Sequence, residues 1–233
     1  MSTLYLHAQH RYLVAPKSDL RAPLRALGID LRRVSRLTRL ALLATHPLTL
    51  SPQGKLFLTS PFASPSIFAR HFPALLYDSL PSPLDFMANL HNAAAFHIAQ
   101  HKHCHGGSLF LASDAATCWQ ALWLAGNDLL ATDSEDALVC WLYEAPPDAD
   151  TAILEGGIAW HIGRTPHADS LAQLHFCHDN ARGADAASSF LAAVDTASKR
   201  IADGETLVLP APFAIRVTPH TLATRDNDSF LPR

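Results

Sequence analysis

The chain has 233 residues, 48% of them hydrophobic and 17% charged, with a formal net charge of −3. That composition is globular and sufficient to bury a substantial core, and it provides no clustered basic surface for nucleic acid. No apolar run is long enough to span a bilayer, Met1–His10 lacks the basic start and apolar stretch of a signal peptide, and Cys104, Cys118, Cys140 and Cys177 form no CxxC pair. The expectation is therefore a cytoplasmic protein with reduced thiols.

In chain order, Thr3–Leu6 suits a short first strand. Leu31–Ala44 predicts a helix, because Leu31, Val34, Leu37 and Ala41 recur at helical spacing while Arg32, Arg33, Arg36 and Arg39 take the other face. Pro47 and Pro52 close it. Lys55–Thr59 reads as a short apolar strand. Pro61, Pro65, Pro73, Pro81 and Pro83 then argue for irregular structure, with a turn or two of helix near Ile67–Arg70. Asn89–Gln100 is an alanine-rich helix.

Gly106-Gly107 breaks the chain, and Ser108–Ala112 follows as a buried strand (Leu109, Phe110, Leu111). Asp114 is placed to cap a helix over Ala115–Ala131. Ala137–Tyr143 is nearly all apolar, as a strand covered on both faces must be. Thr151–Leu154 and Ile158–Ile162 read as two further strands. Ala186–Ala202 is an amphipathic helix whose stripe is Phe190, Leu191, Val194, Ala197 and Ile201, stopped by Gly204. Leu207–Leu209 suggests a last strand, and the tail from about Pro219 reads as polar and poorly packed. The alternation of strands and helices predicts a single α/β layered domain over 1–233.

The stretch Ser82–Glu144 carries a resemblance. Pro83–Phe86 is similar to the proline–aromatic segment of the β-ketoacyl synthases. Asn92 and His97 lie where that family often has Asn and His, and Gly106-Gly107-Ser108 matches its Gly-Pro-Ser break. The strand then runs into Ser113–Leu122, where the family has its nucleophilic cysteine and an alanine-rich helix. The resemblance implies a thiolase-like layered α/β fold, akin to the N-terminal half of a ketosynthase. It also implies a departure. The nucleophile position is Ala115 in an ungapped alignment, or Thr117 if Asp114 anchors the register, and neither gives a thiolate for condensation. The sequence as given ends at Arg233, before the half in which active synthases carry two carbonyl-polarising histidines.

What the resemblance implies is a chain-length-factor-like subunit without catalytic residues, cofactor or metal. Such a subunit pairs with a full-length β-ketoacyl synthase and lines its growing-chain channel, in a type II polyketide or aryl-polyene-type pathway. Phe86, Asn89, Asn92 and Phe96 become the candidates for the partner and channel. Ser108, Leu109, Phe110, Leu111 and Ala112 become the candidate interface strand, since in the family that strand pairs with its counterpart across the dimer. Arg32, Arg33, Arg36 and Arg39 could serve an acidic acyl carrier protein, but they read better as a solvated helix face.

Two other readings compete. Cys118, or a serine with one of the 14 histidines, would make an independent small acyl-transfer or hydrolytic enzyme, although no GxSxG elbow is present. His101-Lys102-His103-Cys104-His105 has zinc-ligand residue types, but it lacks a second ligand pair and reads better as a solvated loop. Cys118 reads as a buried apolar side chain, Asp114 as a helix cap, and His97 as a satisfied core or interface histidine.

Overall fold

Residues 137–142 are apolar without interruption because both faces of their strand are covered. In the computed structural model, which describes residues 3–78, 82–150, 152–177 and 189–220, Ala137, Val139 and Trp141 face one core while Leu138, Cys140 and Leu142 face another. This strand, β4 (Asp136–Tyr143), lies within an eight-stranded sheet of order β3-β2-β4-β5-β1-β6-β8-β7. The other strands are β1 (Thr3–Val14), β2 (Lys55–Ser60), β3 (Ser108–Ala112), β5 (Glu155–Gly163), β6 (Ala172–Phe176), β7 (Leu207–Leu209) and β8 (Ile215–Pro219). β2 runs parallel to β3 and β4, and the remaining pairs are antiparallel.

Helices cover both faces. On one side lie α1 (Arg21–Ala26), α2 (Arg36–Thr45) and α5 (Ala93–Lys102), with Leu40, Leu42, Ala95 and Ile98 against Leu56, Leu58 and Leu138. On the other lie α6 (Gln120–Ala131) and α7 (Phe190–Ala202). There Trp119, Trp141 and Trp160 meet with ring centroids 5.1–5.8 Å apart. Trp141 Nε1 donates to the Cys118 carbonyl at 2.7 Å and Trp160 Nε1 to Ser198 Oγ at 2.9 Å, so each buried indole has its partner. A bulge at His7 reverses the phase of β1: Leu4 and Leu6 enter the tryptophan core, whereas Ala8, Tyr12 and Val14 pack on the α2 side.

Several expectations change. The first strand runs to Val14, and the Arg-rich helix begins at Arg36, where Ser35 Oγ accepts from the Thr38 N–H. Prolines do not clear helix from residues 61–88. α3 (Pro65–Pro73) and α4 (Pro83–Ala88) each begin on a proline, at the position where a missing N–H costs nothing, and a π-helical turn (Ala74–Asp78) follows α3. Asn89 ends α4, and α5 starts only at Ala93.

Ser108–Ala112 is an edge strand rather than a buried one, with Ser108, Leu109 and Ala112 exposed. α6 starts at Gln120, five residues past the expected start. β5 is one strand from Glu155; of the expected strand Thr151–Leu154, residues 152–154 form a turn and Thr151 lies outside the described residues. α7 is described from Phe190, and residues 186–188 of the expected helix lie outside the description, as does the tail from 221. Pro219 closes β8 against Ala172 and is not part of a loose tail. Among the described residues no helix is long and apolar enough to cross a membrane.

A single carboxylate ties the starts of α2 and α3 to the end of the sheet. Glu144, fully buried just past β4, accepts from the Leu37 N–H (2.8 Å), Ser64 Oγ (2.7 Å) and the Ser66 N–H (3.0 Å). The first turns of α2 and α3 thereby share one cap. The Glu144→Ala variant strands these buried donors and is expected to lose about 3 kcal/mol of stability, measured as a lower urea midpoint with an unchanged slope.

Candidate functional site

Among the described residues, most of the large apolar side chains left uncovered sit on one stretch of the chain. Phe68 and Phe72 stack at 5.2 Å on α3, Leu75, Leu76 and Tyr77 follow on the π-helical turn, and all five are exposed. Leu84, Phe86 and Met87 on α4 and Phe96 on α5 continue the set, with Phe86 58% and Phe96 62% exposed. Exposed apolar groups this numerous and this close in sequence make this region a candidate interaction surface. Leu109, on the edge strand β3, is exposed as well.

The four partner-facing candidates separate. Phe86 and Phe96 are open to solvent. Asn92 and Phe96, with Met87, Leu90 and His97, line a groove of about 340 Å³. Asn89 is committed within the chain, its Oδ1 accepting from the Ser64 N–H at 3.0 Å, so it braces α4 against the start of α3. His97 departs from the satisfied role expected of it: its Nδ1 is buried with no hydrogen-bond partner among the described residues, and burial lowers its pKa. The apolar residues from Phe68 to Tyr77 were not anticipated. The run Ile67-Phe68, Phe72-Pro73-Ala74-Leu75-Leu76-Tyr77 held the signal, but the prolines around it argued for loop.

β3 pairs with β2 along Leu56↔Ser108 to Ser60↔Ala112 and with nothing on its other side among the described residues. The Gly-Gly break sets it there. A Cβ on Gly106 would fall 2.1 Å from the Gly54 carbonyl oxygen, so only glycine lets the two loops approach, and the Gly107 carbonyl then accepts from the Leu56 N–H.

At the turn where the resemblance places the nucleophile position, Ala115 offers a methyl group. Thr117 is locked to Asp114: its N–H and hydroxyl both donate to Asp114 Oδ1, at 2.9 and 2.7 Å, while the Asp114 N–H donates back to Thr117 Oγ1 at 3.0 Å. Asp114 therefore closes a turn ahead of α6 instead of capping it. The Thr117 hydrogen bonds hold its carboxyl below the usual range. Ser113 Oγ bonds Thr59 Oγ1. Cys118 is fully buried, and burial pushes its thiol up to about 12. Among the described residues none of Ser113, Thr117 and Cys118 hydrogen-bonds a histidine. An acyl-transfer role at this turn is without an activated nucleophile.

The His101–His105 segment is no solvated loop at its start. His101 and Lys102 belong to α5; His101 Nε2 lies 3.1 Å from His46 Nδ1, Lys102 Nζ donates to the His46 carbonyl at 2.8 Å, and Cys104 is buried. Among the described residues no group of three or more His, Cys, Asp or Glu is placed to hold a metal ion. Trp119 and Trp141 belong to the core, and Trp123 packs on Phe213.

No family model and no curated protein matches this sequence. Solved structures do match. A ketosynthase (ApeO) in complex with its chain length factor (ApeC) from Xenorhabdus doucetiae aligns with a TM-score of 0.61 at 12% identity, covering 94% of this chain and 100% of that one. The ishigamide ketosynthase/chain length factor aligns at 0.56 and 14% identity, over 75% of this chain and 68% of that one. A type II polyketide acyl-carrier protein in complex with its ketosynthase bound to the hexaketide (AntDE:AntF) aligns at 0.57 and 11%, over 76% and 70%. The chain has the thiolase-like fold of ketosynthases and chain length factors.

Native thiol chemistry tests the turn. With all four cysteines buried and thiolate required for attack, the folded protein at pH 8 is expected to release no nitrothiobenzoate from Ellman's reagent within minutes. In denaturant it should release four equivalents, one for each cysteine.

Proposed function

We propose that this chain is the catalytically silent partner of a full-length β-ketoacyl synthase, a chain-length-factor-like subunit in a cytoplasmic type II polyketide or aryl-polyene-type pathway. The observation that carries the reading is the exposed apolar surface of α3, the π-helical turn, α4 and α5 beside the open edge of β3, on a fold shared with ketosynthase complexes. A ketosynthase seated there would bury Phe68, Phe72 and Tyr77 and pair its own strand with β3, satisfying the free backbone groups of Ser108–Ala112.

Support comes from the ApeO–ApeC complex, whose matched chain aligns almost end to end with this one. The absence of a thiol at Ala115 and Thr117 and the inert Cys118 fit a subunit that leaves condensation to its partner. Phe86 and Phe96 then meet the partner where a growing acyl chain passes, and their volume limits its length, because a packed channel end tolerates little overfilling. The carrier protein in the AntDE:AntF complex supports an acyl carrier protein as a further contact.

Tagged chain co-expressed with its cognate full-length ketosynthase is expected to elute from size-exclusion chromatography as a one-to-one heterodimer. Phe72→Asp together with Leu109→Asp should abolish co-purification, whereas Phe96→Ala should keep the pair and lengthen the product. A well-behaved monomer that ignores the synthase would overturn the proposal.

A further inference from the structure

Beside the apolar surface, α2, α3 and α4 enclose a groove of about 630 Å³ walled by five guanidinium groups and a single carboxylate. Half-buried Arg36 and Arg39 form its inner wall, and exposed Arg21, Arg33 and Arg70 its rim. Two of these charges are already matched: Arg36 Nε donates to Glu155 Oε1 at 2.8 Å, and Arg70 Nε donates to Asp85 Oδ2 at 3.1 Å. The side chains of Arg21, Arg33 and Arg39 make no hydrogen bond or ion pair among the described residues.

Asp19 and Glu144 offset part of the Arg39 charge through space but make no hydrogen bond or ion pair with it among the described residues. Glu144 has its oxygens taken by the Leu37 N–H, Ser64 and the Ser66 N–H, and Asp19 Oδ1 accepts the backbone N–H of Arg21 at 2.8 Å. Burial first, and then Arg21 and Arg36, lower the pKa of Arg39. A partly desolvated cation among like charges is unfavourable until an anion joins it. The planar fork of arginine fits the oxygens of a phosphoryl group two at a time.

We propose that this groove is a binding site for a phosphate group, held by Arg39 from the inner wall and by Arg21 and Arg33 from the rim. The site lies on this chain alone and does not depend on the partner proposed above. Its ligand is either the free ion or the phosphoryl group of an ester, and the same arginine forks take both.

Calorimetric titration tests it on the purified chain, or on its ketosynthase complex if the chain requires one, with sodium phosphate and phenyl phosphate in turn against chloride of equal ionic strength. Phosphate is expected to bind saturably, and Arg39→Ala to weaken it about tenfold or more, in line with loss of a charge-assisted hydrogen bond. Arg33→Gln, on the exposed rim where the fold does not depend on it, should weaken binding several-fold, and Arg216→Gln, exposed on β8, should leave it unchanged. Tighter binding of phenyl phosphate identifies an ester as the ligand, and equal or weaker binding identifies the free ion. No saturable binding of either, or equal weakening by Arg33→Gln and Arg216→Gln, overturns the proposal.

Discussion

A buried carboxylate without water must find its hydrogen-bond donors in the protein, and Glu144 finds three of them at the starts of two helices. That requirement places α2 and α3 side by side over the end of β4. Next to it Glu155 accepts from Arg36 and from the Ala145 N–H at 3.2 Å, which fixes the chain as it leaves the same strand. Asn89 then carries the constraint outward to α4 through Ser64. The exposed surface from Phe68 to Phe96 thus stands on short helices whose position is set by a few polar contacts at the sheet's end, while α5 alone among them buries an apolar stripe in the core.

The sheet does not lack a cover. A half of a larger thiolase-like body would expose one whole face, yet here β6, β8 and β7 extend the sheet, and α6 and α7 close that face around Trp119, Trp141 and Trp160. The apolar surface that remains is local, on α3–α5 and the β3 edge, and this changes what a partner has to do. On the proposed function it would not replace a missing core layer; it would cover this local apolar surface and an open strand edge, the ordinary content of a protein–protein interface.

The central elements were legible because burial on both faces writes itself into composition: Ala137–Tyr143 and the Phe190–Ile201 stripe fall where their patterns put them. β1 was read only to Leu6 because the bulge at His7 shifts its alternation, so a period-two pattern stops where the strand does not. β6 and β8 were missed since Gln173, His175, Arg216 and Thr218 break up short apolar sets whose partners lie far along the chain. The candidate interface strand was taken as buried but lies at the sheet's edge: Leu109, Phe110 and Leu111 look the same in sequence whether a strand lies within a sheet or at its edge. Of the candidate site, Phe86 and Phe96 were identified through resemblance, but the arginine groove needed the fold, since Arg21 and Arg70 join Arg33, Arg36 and Arg39 only in space.

The claim that a ketosynthase covers this surface is met most directly by hydrogen exchange on the co-purified complex. Backbone amides of Ser108–Ala112 and of α3–α5 would exchange slowly if the partner strand pairs with β3 and the apolar surface is buried, with the β3 amides approaching the protection of β4. Rapid exchange along β3 in a complex that is otherwise intact, at the rate of an open edge strand, would place the partner elsewhere and contradict the account.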